Sequence, residues 1–322
     1  MTMAAFSLLF DASLQAGLTG LVLLALAALM RDRFRALSNG LVIIAFVKFA
    51  IPPIFALPTG IFSSLAIRTR STAAEPSQGM RIVLAIYLCG ACIVAMRRLA
   101  ELFALRRIAR EAKLPSAASR AALAHAVSGW PFDRVPELRV NAHIAAPCTT
   151  GIRTPMILLP ATLEQRLTES EIRAVLIHEL THIQHHDVLR NTISAFLGVI
   201  WWFHPVFHLV DRRARAQREE HCDRAVVDAG VPADEYATTL VAVAALQTRR
   251  PVLAPGIGAS GHPLRRRIQL LGATVLRETL QHRIATTIVL VTATLLLLPG
   301  ASSSRTTIAL PYSAHHVHNH HH

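Results

Sequence analysis

The sequence predicts a multi-spanning α-helical membrane protein with a mainly α, α+β domain between its third and fourth spans. The 322-residue chain is 52% hydrophobic and only 16% charged, whereas soluble proteins carry about a quarter charged residues. Its mean hydropathy is +0.40. The apolar residues are concentrated in long runs, which is the pattern of helices that cross a bilayer.

Four apolar runs are predicted to span the membrane, since a span needs about 20 residues and short runs extend into their flanks. The runs cover residues 12–30, 41–57, 82–96 and 284–298. We therefore predict three spans within residues 1–96, a fourth over 284–299 and a short extracytoplasmic His-rich tail over 300–322. The first run has neither a basic leading region nor a small-residue cleavage site, so we interpret it as a retained helix.

The arginines predict how these spans are oriented. They cluster after the first and third spans and before the fourth, and are fewer on the opposite side. The more basic side of a membrane protein faces the cytoplasm, so residues 97–283 are predicted to form a cytoplasmic domain. The net charge of +13 belongs largely to these membrane-flanking arginines, which argues against direct nucleic-acid binding.

The four cysteines do not predict a disulfide framework. Cys89 and Cys92 form a CxxC within the third apolar run, where small residues that pack membrane helices together are the expected interpretation. Cys148 and Cys222 lie far apart in the chain. The domain is thus compatible with a reducing compartment.

The first half of the domain is predicted to contain two helices and two strands. The helices cover residues 99–113 and 116–127, and the strands cover 137–144 and 151–159. The second strand is rich in Ile and Leu. We expect it to be an edge strand on which an extended peptide can pair.

The second half is predicted to be helical. Thr168 and Glu171 form a capping box at the start of a helix with apolar residues at helical spacing. Asp187 is predicted to cap the next helix, which leads into the aromatic stretch around Trp201. Membrane entry and core packing both remain open for residues 201–210. Further helices are predicted over 212–227 and 234–248, followed by a Pro/Gly-rich loop over 251–263.

The chemistry of the domain is indicated by His178-Glu179-Leu180-Thr181-His182. Four residues separate the two histidines, so their imidazoles lie on one helical face and can reach one metal ion. Glu179, beside the first histidine, is placed to act as general base without being a ligand. This is the HExxH arrangement of zinc metalloproteases.

A second helix offers further ligands. Glu219 and Asp223 also lie four residues apart, so Glu219 can complete a His-His-Glu shell while Asp223 orients a ligand imidazole. The alternative is a solvated face among neighbouring arginines. Glu220 is the fallback ligand, and His221 is a weak candidate for a transition-state donor. The histidines of residues 315–322 are expected to bind metal loosely.

Taken in order, these segments resemble the antirepressor membrane zinc metallopeptidases, the BlaR/MecR-type transducer peptidases of beta-lactam sensors. The segments are residues 151–160, 167–187, 201–205 and 218–223. The resemblance implies a gluzincin-type zinc peptidase domain with Zn²⁺ held by His178, His182 and Glu219, with Glu179 as catalytic base and Asp223 in support. It also implies a bacterial inner (cytoplasmic) membrane location.

The resemblance also implies a function, which is cleavage of a cytoplasmic transcriptional repressor, with a winged-helix repressor as one candidate, or of the protease itself. About 22 residues follow Pro299-Gly300, so no penicillin-binding domain is expected and beta-lactam signalling is not carried over. Two alternatives are a constitutive quality-control or processing protease and a non-catalytic membrane adaptor. The bilayer and a protein substrate are the expected partners, and the oligomeric state is left open.

Overall fold

The computed structural model describes residues 2–30, 34–50, 78–128, 130, 135–247 and 264–271. Within these residues the chain is mainly helical, with one small sheet. The helices are α1 Thr2–Met30, α2 Arg35–Ala50, α3 Gln78–Arg110, α4 Ala117–Val127, α5 Ala161–Arg166, α6 Glu169–Gln184, α7 Asp187–Ile200, α8 Pro205–Asp228, α9 Ala233–Gln247 and α10 Leu264–Leu271. The strands are β1 Glu137–Asn141, β2 Cys148–Thr150 and β3 Met156–Pro160.

Two helices in the described part of the chain are long and apolar enough to cross a membrane. One is the Ser13–Met30 part of α1, and the other is α3. The predicted third span and the predicted helix over residues 99–113 form this single helix, about 50 Å long, so the predicted domain boundary at residue 96 lies inside it. The second predicted span begins within α2, whereas residues 51–57 and the fourth span lie outside the described residues.

The buried apolar side chains form two separate cores. The first lies between the sheet, α4, α6, α9 and the end of α8. The second joins α1 and α2 to the end of α7 and the start of α8. Because α8 has 24 residues and is about 36 Å long, it contributes to both cores. This helix therefore connects the apolar N-terminal helices rigidly to the first core.

The aromatic turn between α7 and α8 packs against the N-terminal helices. Trp201 is 5% exposed, and its indole N–H donates to the Phe49 carbonyl at 3.0 Å. Trp202 lies against α3 at Gly90, where an added Cβ would overlap the indole ring. It is Gly90, rather than the exposed Cys89 and Cys92, that permits this close packing.

The sheet has the order β1-β3-β2, with β3 parallel to β1 and antiparallel to β2. The prediction that the strand over residues 151–159 is an edge strand is therefore wrong. The outer side of β1 pairs with Lys113, so among the described residues β2 is the strand whose outer edge has no partner strand. Local sequence patterns predict where a strand lies in the chain, but they do not predict the order of the strands in the sheet. The edge position was therefore assigned to the wrong strand.

Leu176→Ala is expected to destabilise the folded protein by about 2–5 kcal/mol, because a fully buried leucine leaves a cavity when it is truncated. Leu176 has 0% exposure in the first core. Leu189→Ala is the matched control, since Leu189 is 43% exposed and changes at such positions stay within about 0.5 kcal/mol. Urea unfolding of both variants in detergent measures the difference, and equal losses would contradict the assignment of this core.

Candidate metal centre

Helix α6 carries the central residues of the site. Its predicted capping box is present, since Thr168 accepts from the Glu171 N–H at 3.3 Å and Glu171 accepts from the Thr168 N–H at 2.8 Å. The helix places the His178 and His182 rings side by side, with centroids 4.9 Å apart. His178 and the adjacent Glu179 are almost fully buried, so the site is shielded from bulk water on one side.

Helix α8 brings a carboxylate to the facing nitrogens of both rings. Glu219 Oε2 lies 3.5 Å from His178 Nε2, and Glu219 Oε1 lies 3.8 Å from His182 Nε2. One turn further along α8, Asp223 is only 3% exposed, which excludes a solvated face as the alternative. The structure thus brings together the three predicted ligands and Asp223.

The other ring nitrogens are held by neighbouring side chains. His182 Nδ1 lies 2.7 Å from Asp187 Oδ2, and His178 Nδ1 lies 3.3 Å from Asp223 Oδ1 and 3.0 Å from the Tyr236 hydroxyl. Since a carboxylate only accepts hydrogen bonds, both Nδ1 atoms carry the proton. This fixes the tautomer that leaves Nε2 free to bind a metal ion, as in known zinc sites.

Three residues around the centre were not predicted in the role that the structure gives them. Asp187 was predicted to be a helix cap, but the cap position is His186, with a φ of 54°, and the Asp187 carboxylate binds His182 instead. Tyr236 on α9 donates to Asp223 Oδ1 at 2.8 Å, and Arg267 on α10 donates to both Asp223 oxygens. Nothing in the sequence marks Tyr236 or Arg267, because each reaches the site from a distant segment.

The charges in the centre stabilise one another. Burial alone would raise the pKa of Glu219, but its hydrogen bond and attraction to His178 dominate and lower that pKa to about 2. Arg267 lies 3.7 Å from Glu219 and, with His178, holds the pKa of Asp223 below its usual range against the effect of burial. Both carboxylates are therefore ionised, and Glu219, which faces the Nε2 atoms of both rings, is the one placed to bind a cation.

Cys222 is the competing third ligand, because His178, His182 and Cys222 have potential ligand atoms within 4.8 Å of one another. Its Sγ lies 3.3 Å from His182 Nδ1, which is the nitrogen already bound by Asp187. Glu219 instead faces the Nε2 atoms of both rings. Burial, together with nearby carboxylates, also raises the thiol pKa of Cys222 well above its usual range, and a thiol is a poorer ligand than a thiolate. We therefore favour Glu219.

The two weaker predicted residues point elsewhere. Glu220, the fallback ligand, accepts from Arg213 at 3.4 Å and Arg266 at 3.2 Å. His221 is exposed, and its Nε2 lies 2.9 Å from His185 Nε2. Neither residue faces the His178 and His182 Nε2 atoms.

A large cleft of about 1600 Å³ leads to this centre, lined by α3, the β2–β3 hairpin and α6 to α10. The β2 residues Cys148, Thr149 and Thr150 form part of its wall. From that strand Thr149 donates to Glu179 Oε2 at 2.9 Å. The cleft therefore places β2, whose outer edge is unpaired within the described part of the chain, beside the predicted base, and an extended peptide can bind by pairing with such an edge.

An HExxH helix facing a glutamate from a second helix is the arrangement that metallopeptidases use to hold zinc. The sequence model of the family described as BlaR1 peptidase M56 matches residues 7–271. The chain therefore belongs to the BlaR1 peptidase M56 family.

Individual relatives match over shorter segments. Regulatory protein BlaR1 of Bacillus licheniformis is 33% identical over 84 residues, or 26% of this chain and 14% of that protein. Methicillin resistance mecR1 protein of Staphylococcus aureus is 28% identical over 87 residues, or 27% and 15%. Protease HtpX homolog 1 of Streptomyces coelicolor is 31% identical over 111 residues, or 34% and 36%. The match thus spans about one seventh of the first two relatives.

Tyr236→Phe is expected to weaken metal binding by about 10–100-fold, the usual cost of losing a group that orients a ligand. The change removes the hydroxyl that contacts His178 Nδ1 and Asp223 and keeps the buried ring. Tyr87→Phe is the matched control, since Tyr87 donates to the Ile200 carbonyl away from the centre. Zinc competition with a chromogenic chelator measures both, and equal affinities would contradict this role for Tyr236.

Metal affinity is expected to fall as the pH is lowered. Burial opposes the charged form of His178, but hydrogen bonds to Asp223 and Glu219 outweigh it and raise its pKa to about 9 in the metal-free site. A ligand imidazole must lose its proton, so below that pKa the proton competes with the metal. Zinc affinity, measured at about pH 6 and pH 8, should fall by up to about tenfold for each unit by which the pH is lowered. Equal affinities at both pH values would contradict this account.

Proposed function

We propose that this protein is a membrane-bound zinc endopeptidase that acts in regulated proteolysis. The observation that carries the proposal is the convergence of His178, His182 and Glu219 beside Glu179, at the end of a cleft with an open strand edge. Membership in the BlaR1 peptidase M56 family supports a peptidase activity. The similarity to regulatory protein BlaR1 supports a role in regulation.

The donor set fits a zinc ion. Two imidazole nitrogens and one ionised carboxylate face a common point, and three protein ligands with an open fourth position are typical of catalytic zinc. His178, His182 and Glu219 would hold the ion. When bound there, zinc polarises a peptide carbonyl and makes a water molecule acidic enough to attack it at neutral pH.

The remaining steps belong to the chain's own residues. An extended substrate pairs with β2, which orients its scissile bond along the cleft. Thr149 holds Glu179 through Oε2, which leaves Oε1 to accept the proton from the attacking water. Glu179 then delivers that proton to the leaving amine, as a general base and acid in turn.

We place this site on the cytoplasmic side of the bacterial inner membrane, in a multi-pass protein. The apolar helices α1 and α3 and the arginine pattern of the sequence support this placement. The core shared by α1, α2, α7 and α8 supports a site held close to the bilayer. The bilayer is then a permanent partner of the chain.

The proposed substrate is a cytoplasmic transcriptional repressor of the winged-helix type, the protease itself, or both. The loop over residues 251–263, which we predict as a self-cleavage site because it is rich in Gly and Pro, lies outside the described residues. The second candidate is a constitutive quality-control or processing protease, and it is kept because the Protease HtpX homologs are named as proteases with no regulatory role in their names. A non-catalytic adaptor would have no use for Glu179 and its contact with Thr149.

Comparison of fragments in whole cells tests these candidates. Cells that carry the wild type are compared with cells that carry Glu179→Ala, in the presence and absence of candidate stresses, by terminal-peptide proteomics. Regulated proteolysis predicts that fragments of a DNA-binding repressor, or of the protease, appear on induction and vanish in the variant. Steady fragments of many membrane proteins would support the constitutive protease, and identical fragment sets in both strains would support the adaptor.

A further inference from the structure

A second pair of histidines joins the helices of the metal centre on their outer side. His185 is the C-terminal cap residue of α6, and His221 lies on α8. Their Nε2 atoms are 2.9 Å apart, and their rings are nearly perpendicular, with centroids 4.5 Å apart. Neither residue has a place in the proposed cleavage reaction.

This geometry sets a chemical requirement. Two imidazole nitrogens at 2.9 Å repel each other unless a proton or a metal ion lies between their lone pairs. His185 is anchored by its backbone N–H, which donates to the Thr181 carbonyl at 3.0 Å, and His221 is fixed within a long helix. The pair is therefore preorganised and does not depend on flexible loops.

We propose that His185 and His221 form a second, accessible binding site for a transition-metal ion such as Zn²⁺, Ni²⁺ or Cu²⁺. These ions prefer imidazole ligands, whereas Mg²⁺ and Ca²⁺ prefer oxygen. Bound to zinc at about 2.0–2.1 Å, two tetrahedral nitrogen ligands lie roughly 3.3 Å apart, so the observed pair needs only a small opening. His221 is exposed, so water completes the coordination.

The surroundings of His185 favour a neutral imidazole. Burial, followed by repulsion from His221, lowers the pKa of His185, and attraction to Asp187 offsets this lowering only in part. The imidazole is therefore kept in the neutral form that binds a metal ion. Asp187 also forms ion pairs with Arg190 at 3.2 Å and Arg218 at 4.0 Å, so it offsets part of the positive charge of these two arginines.

The site would act on the catalytic centre through its helices. His185 follows the ligand His182 by three residues, and His221 follows Glu219 by two. A metal ion between them ties the end of α6 to α8, and thereby holds the two parts of the main ligand set at a fixed separation. Zinc in excess of one ion per chain should therefore raise the unfolding temperature of the protein.

Metal counting tests this proposal independently of any cleavage assay. The full chain is purified in detergent with the six histidines of residues 315–322 replaced by Asn, which removes binding by the tail. Equilibrium dialysis against increasing free zinc should then give two ions per chain, and His185→Asn and His221→Asn should each give one. His125→Asn is the control, since His125 is exposed and pairs with Glu169, and it should keep two.

The ion that remains in each variant shows that the variant is folded. The proposal is overturned if the parent protein binds a single ion, if both variants still bind two, or if both lose the two ions together. Because the two substituted residues lie on different helices, the second variant still tests the proposal if the first fails to fold. Loss of cleavage with intact two-ion binding would instead count against the proposed function alone.

Discussion

Glu179→Gln is expected to lower kcat by at least about 10²–10⁴-fold, the usual contribution of a general base or acid, while leaving the metal bound. The amide keeps the size of the side chain and its contact with Thr149 but cannot accept the proton. The two measurements are the cleavage rate of a peptide substrate and the zinc content of the purified variant.

Glu169→Gln is the matched control for this change. Glu169 lies at the start of the same helix and is about half exposed, so its charge has no part in the reaction. We expect wild-type rates for the control. A Glu179→Gln variant that retains zinc and cleaves at a rate close to wild type would exclude Glu179 as the base.

Glu219→Gln is expected to reduce zinc affinity by more than the roughly 10–100-fold that follows from losing a group outside the ligand set. Glu219 supplies the negative charge that faces both Nε2 atoms. The neutral amide oxygen of Gln is a much weaker metal ligand than this carboxylate. Without the ion, both the polarising charge and the acidic water are lost, so activity falls with metal content.

The neighbouring residue provides the comparison. Glu220→Gln changes the same chemical group one position later, where it pairs with Arg213 and Arg266, and it should keep zinc and activity. Zinc loss in Glu220→Gln with retention in Glu219→Gln would show that the fallback ligand is the true one.

The parts of this site that sequence predicts are those that local geometry determines. The capping box at Thr168 and Glu171 and the four-residue spacings within α6 and α8 depend on helical periodicity alone. The spacings placed His178 and His182 on one face and Glu219 and Asp223 on another. The structure adds that these two faces meet.

The parts that sequence could not predict depend on contacts between distant segments. Tyr236 and Arg267 reach Asp223 from α9 and α10, and no periodic pattern marks either residue. Asp187 shows a different limitation. An Asp at a helix start is usually a cap. The sequence therefore predicts that the Asp187 carboxylate binds backbone N–H groups of its own helix, whereas in the structure it contacts the ring of His182.

The same limit applies to the sheet and to the aromatic turn. The apolar run that became β3 was correctly predicted as a strand, but its central position depends on pairing with both β1 and β2. At Trp201 the sequence left membrane entry and core packing open. The ring packs against α2 inside a buried cluster, and a long-range contact of this kind has no signature in the local sequence.

The most direct test of the central claim is X-ray absorption at the zinc edge, on the full chain loaded with one zinc ion and with the tail histidines replaced. We predict two imidazole nitrogens and a carboxylate oxygen at about 2.0–2.2 Å, with no sulfur neighbour. A sulfur ligand at about 2.3 Å that disappears in Cys222→Ser would contradict the account, because it would replace Glu219 by Cys222 as the third ligand.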